Sequence, residues 1–135
     1  MIKVDFKINK KALDILNAAH EKALPLTIEN LSTAIESAQV VPFGQGYRSK
    51  DGALVAGGTL KRSQSHGVID GRGFISWNTP YARRLYFHPE YNFSKLEHAN
   101  ARGLWCDYWI YQDGKKDVIN AYGKLLKMCA KGVIK

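Results

Sequence analysis

Apolar and polar residues alternate strictly over residues 2–8, where Ile2, Val4, Phe6 and Ile8 are separated by Lys3, Asp5 and Lys7. A period of two predicts a half-buried strand, and Asn9 follows as a helix N-cap. From residue 10 to 39 the spacing becomes helical. Ala12, Leu16, Ala19 and Ala23, then Leu24, Ile28, Leu31, Ile35 and Ala38, recur three and four apart, with Lys10, Lys11, Asp14, Glu21, Lys22, Glu29, Asn30 and Glu36 on the other faces. Pro25 removes a helical hydrogen bond and crowds the preceding turn, so a kink or break is expected near Leu24. Val40-Val41-Pro42 ends the helix.

Periodicity is then lost over residues 43–58, which are polar and glycine-rich and read as a long exposed loop with a short strand at Ala53–Ala56. Thr59–Ser65 and Val68-Ile69 read as β segments, Asp70-Gly71-Arg72-Gly73 as a tight turn and Phe74–Asn78 as the returning strand. Thr79 and Pro80 suit the cap and first position of a short helix carrying Tyr81, Ala82, Leu85 and Tyr86. Residues 88–98 form a second irregular loop bearing aromatics. Helices are expected at Ala99–Tyr111 and Asp117–Lys131, broken at Asp113-Gly114 and stopped by Gly132. Trp105 and Trp109, four apart, would share one helix face against the sheet. The expectation is a single α+β domain over 1–135. A small, mostly antiparallel β-sheet packs against a long N-terminal helix and C-terminal helices.

Composition narrows the class. Hydrophobic residues make up 45% and charged residues 24% of the 135, as in soluble globular domains. No apolar run approaches the ~18 residues needed to cross a bilayer. The start Met1-Ile2-Lys3-Val4-Asp5-Phe6 lacks the apolar core of a signal peptide, so the expected compartment is a cytoplasm without membrane contact. Cys106 and Cys129 lie in apolar helical patterns and read as buried free thiols.

Candidate chemistry is thin. His20, His66, His88 and His98 show no metal-ligand spacing, so neither metal nor cofactor is expected. Ser63, Ser65 and His66 lack a nucleophile elbow, and neighbours on a strand point to opposite faces. Gly44-Gln45-Gly46 and Gly57-Gly58 lack the Gly-Lys-Ser/Thr of a phosphate loop. The twelve carboxylates show no pair among convergent polar groups. No catalytic residue is therefore assigned. A formal charge of +8 leaves a small basic nucleic-acid-binding module as the alternative. Its face would use Arg48, Lys50, Lys61, Arg62, Arg72, Arg83 and Arg84 with Phe43, Tyr47, Phe74 and Trp77.

The order of motifs carries more than any single one. A long amphipathic helix leads to Val41-Pro42, a glycine-rich loop, and Gly58-Thr59-Leu60-Lys61-Arg62-Ser63. Two β segments follow, then Trp77-Asn78-Thr79-Pro80-Tyr81-Ala82 and finally Asn100-Ala101-Arg102-Gly103-Leu104-Trp105. Over roughly residues 10–130 this resembles the minor capsid proteins of tailed bacteriophages of Gram-positive hosts, and the wider group of head–tail joining or tail-completion proteins. The resemblance implies a structural virion protein, assembled in the bacterial host cytoplasm, that forms a ring at the head–tail interface. It implies a hexamer, with a dodecamer as the head-side alternative. Partners would be neighbouring neck, tail terminator or tail tube proteins, with genomic DNA passing through the channel without sequence-specific binding. Candidate interface residues are Phe43, Gln45, Tyr47, Arg48, Arg83, Arg84, Tyr91 and Phe93.

Overall fold

The computed structural model describes residues 9–44, 47–55 and 57–130. The expected strand at 2–8 and the stop at Gly132 lie outside them. The first element is a single helix, α1 (Lys10–Ala38), begun where the Asn9 side chain accepts the Ala12 N–H at 3.2 Å. It runs through Pro25 without interruption, so of the kink or break expected near Leu24 the break does not occur. Pro25 and Glu21 are both exposed, so the carbonyl that loses its donor faces solvent. On the opposite side Ala19, Ala23, Thr27, Ser32 and Ile35 are buried both before and after the proline, and the Thr27 hydroxyl donates to the Ala23 carbonyl at 2.8 Å. Packing along the whole face holds the two halves together.

Two antiparallel hairpins replace the single sheet expected. β1 (Tyr47–Arg48) pairs with β2 (Leu54–Val55), and β3 (Gln64–Ile69) pairs with β4 (Arg72–Trp77). Asp70 and Gly71 have φ of 52° and 74°, the two left-handed positions of a type I′ turn. Thr59–Arg62, expected as strand, is a short helix, α2, closed by Arg62 N–H to Gly58 O and Ser63 N–H to Thr59 O. The segment has one apolar residue, Leu60, so no period could be read there. Burial of Leu60 at 3% exposure fixes the helical turn instead.

Three further corrections concern helix boundaries. α3 spans Ala82–Tyr86 with Tyr81 before it, and Thr79 is not its side-chain cap; the Thr79 hydroxyl is buried without a hydrogen-bond partner. The helix expected from Ala99 is only α4, Asp107–Tyr111. Leu104 sits at φ 49° and donates its N–H to Tyr86 O at 2.8 Å, while Gly103 packs so closely on Pro89 that a Cβ would come 2.7 Å from its Cα. Those constraints exclude helix before Asp107, and Trp105 and Trp109 therefore share no helix face. α5 starts earlier than expected, spanning Gly114–Cys129, because buried Gly114 admits the rings of Tyr108 and Trp109 at the α4–α5 corner.

The core gathers at the C-terminal end of α1. Ile35, Val40, Val41, Leu60, Ala82 and Trp105 form its buried centre, with Leu31, Ile75, Trp77, Tyr86 and Trp109 around it. Trp105 meets Trp77 edge-on at 5.5 Å and Tyr86 at 4.8 Å. The β3–β4 hairpin covers one flank of α1, and α5 covers another, tied by a hydrogen bond between the His20 ring and the Tyr122 hydroxyl. The arrangement is α+β. Because Trp105 is 1% exposed and its indole N–H finds no acceptor among the described residues, its contribution is packing. Trp105→Ala is expected to lower unfolding free energy by ~3–5 kcal/mol, measured by chemical denaturation, and Trp105→Phe by less.

Candidate interaction site

Between β4 and α4 the surface opens into a groove of about 200 Å³. Ile28, Leu31 and Ile35 of α1 form its floor, Gly73, Phe74 and Ile75 one bank, and Cys106, Trp109, Ile110 and Val118 the other. Nearly every lining side chain is apolar. Consecutive strand residues point to opposite faces, so a bank made of three in a row is the edge of β4 rather than a face. Gly73 permits the close approach of β4 to α1, since a Cβ there would run into the Ile28 side chain. The Phe74 ring covers Gly67, its partner across the hairpin, and stays 37% exposed.

The one thiol lining the groove, Cys106, is held in its neutral form. Burial, and secondarily the Asp107 carboxylate, push the Cys106 thiol from 9.0 up to about 12. Burial and a hydrogen bond donated to Asp107 at 2.9 Å likewise raise the Tyr86 hydroxyl above its usual range. Both stay neutral near pH 7. Other candidate groups are occupied elsewhere. Ser63 donates to Leu60 O, Ser65 bonds Ser76 across the hairpin, and the His98 ring donates to Val41 O at 2.7 Å. Among the described residues no group of three or more His, Cys, Asp or Glu is placed to hold a metal ion, and no helix is long and apolar enough to cross a membrane.

The sequence-derived interface residues fall on three segments. Phe43 is half-buried, set between the His98 ring at 5.0 Å and Gly58, where a Cβ would strike it. Gln45 lies outside the described residues. Tyr47 and the exposed Arg48 make β1. Arg83 and Arg84 are exposed on α3. Tyr91 stacks on His88 at 4.7 Å, beside a His88–Glu90 hydrogen bond that lowers the Glu90 pKa, and Phe93 lies 6.3 Å from Tyr91. Tyr91 and Phe93 are thus brought together. For the basic-face alternative, Trp77 packs against the core and Phe43 against its own loop, and both are half-buried. The groove itself was missed in sequence, although adjacent Phe74 and Ile75 in a strand signal apolar contact on both faces.

Comparison of the chain with protein-family models, curated proteins and solved structures finds no match.

The Cys106 environment gives a pH prediction. The folded state holds the thiol neutral, whereas the unfolded chain ionises it from about 9. Its contribution is therefore complete below pH 9 and is lost as pH rises towards 12. Denaturation midpoints should fall over that window, and Cys106→Ala should make the fall shallower, Tyr86 accounting for part of the remainder.

Proposed function

We propose that this chain is a structural protein of a tailed bacteriophage, a ring-forming subunit of the head–tail connector that joins neck to tail and leaves a channel for DNA. The observation carrying this reading is the open edge of β4 over an apolar groove. On a small domain such a surface suits a protein neighbour better than water. The order of motifs along residues 10–130 points to the phage class. Leu54 on β2 and Leu96 on the segment before α4, 76% and 84% exposed, offer further apolar contacts to adjoining layers. The reading makes the chain a mechanical part with no catalysed reaction.

The charge favours protein partners in this scheme. A channel wall rich in Lys and Arg would grip phosphates and hinder sliding of DNA, so the excess positive charge belongs against neighbouring proteins or solvent. Arg83 and Arg84 are exposed, and neither has an acidic partner among the described residues. Both are free to pair with carboxylates of an adjacent subunit. The double substitution Arg83→Glu with Arg84→Glu is expected to abolish joining of heads to tails while circular dichroism of the purified chain stays unchanged. Normal joining with altered DNA retention or ejection would place these arginines on the channel instead.

A further inference from the structure

β4 is paired on one side only. Among the described residues its sheet consists of β3 and β4, and Gly73 is exposed although seated on Ile28. The two-residue turn at Asp70-Gly71 makes Ile69 and Arg72 the pair that exchanges both backbone bonds. Along β4 the N–H and C=O of Arg72, Phe74 and Ser76 are therefore committed to β3. Those of Gly73 and Ile75 point the other way, into the groove. A two-stranded ribbon is marginal by itself, and an open edge is a template for another strand. A strand laid here would find backbone partners on one side and the apolar floor of Ile28, Leu31 and Ile35 beneath it.

We propose that this edge receives residues 2–8 of a second copy of the chain as a third strand. The pattern fits, since Ile2, Val4, Phe6 and Ile8 would face the floor while Lys3, Asp5 and Lys7 face solvent. The length fits too, with seven residues against the six of β4. Reach decides that the donor is another copy. Ile28 lies nineteen helical steps beyond Asn9, about 28 Å at the helical rise, and the floor continues about 10 Å more to Ile35. Residues 2–8 fully extended from Asn9 cover only about 24 Å. From Asn9 that reach falls short of the chain's own groove, which leaves a neighbour's groove as the target. Donation from each copy to the next is a heterologous contact, which generates a ring when the rotation closes. The inference rests on the ring reading for its partner and supplies the contact that joins neighbours.

The test uses the full chain carrying Val4→Asp and Phe6→Asp, which puts charge on the donor face and leaves every described element unaltered. A synthetic peptide of residues 1–9 is added, and amide exchange is followed by NMR. The peptide is expected to slow exchange at Gly73 and Ile75 about tenfold or more, and a peptide with the same two Asp substitutions to leave it unchanged. No slowing at those amides overturns the proposal, as does protection of the edge by a different protein but not by the peptide. In mixtures of isotope-labelled and unlabelled wild-type chain, cross-links from Lys3 or Lys7 should join labelled to unlabelled copies; cross-links confined to single chains overturn the second-copy donor. If the Val4→Asp/Phe6→Asp chain forms rings as readily as wild type, strand donation is wrong and the ring reading stands. If the peptide protects the edge but wild-type chain never assembles with phage partners, the ring reading fails and the recognition of this segment by the edge stands.

Discussion

The rest of the structure depends on how the C-terminal end of α1 is closed. A helix ends with carbonyls that have no partner inside it, and here the chain returns much later to supply a donor to one of them, at Ala38, and to two carbonyls of the extended segment that follows. The Asn100 side chain donates to Ala38 O, the Arg102 N–H to Val40 O and the His98 ring to Val41 O, at 2.9, 3.0 and 2.7 Å. A carbonyl only accepts, so His98 Nδ1 carries the proton there. This lacing delivers Trp105 into the space bounded by Ile35, Val41, Trp77 and Tyr86, and its burial joins α1, β4 and α3 in one core. Irregular backbone between Phe87 and Cys106 is thus as firmly specified as the helices, through Leu104 on Tyr86 and Gly103 on Pro89.

What the sequence made legible follows from what each signal measures. Repeated apolar spacing predicted α1 and α5, and Asp70-Gly71 predicted the β3–β4 hairpin, because a type I′ turn accepts few other residues. Single-residue signals failed. Thr79-Pro80 has the chemistry of a helix start, yet the helix begins at Ala82 and the threonine hydroxyl is buried away from it. The aromatic run from Leu104 to Tyr111 has helical spacing, but a left-handed Leu104 splits it, since tertiary bonds to α3 outweigh local preference. Of the kink or break expected near Leu24, a break is absent because the burial that opposes it lies on the opposite face of α1.

The candidate site was less legible than the fold. Glycines and aromatics in the 43–58 and 88–98 loops drew attention to contact residues, but Phe43 serves to pin its own loop against His98. The groove is formed by residues from α1, β4, α4 and α5, none adjacent to another element's residues in sequence, and the open edge of β4 depends on which strands pair. Both belong to topology. Together with the alternating apolar and polar sequence of residues 2–8, they are the basis of the proposed strand donation between copies, and a closed ring is the assembly in which every such edge would be filled.

Solution mass measurement, paired with negative-stain imaging of the purified chain mixed with the neck and tail proteins proposed as its partners, tests the central claim most directly. The account predicts closed rings of a single size, six copies or twelve, with an open centre. A chain that remains monomeric in every such mixture, while shifting DNA in a salt-dependent manner, would contradict it and favour the nucleic-acid-binding alternative.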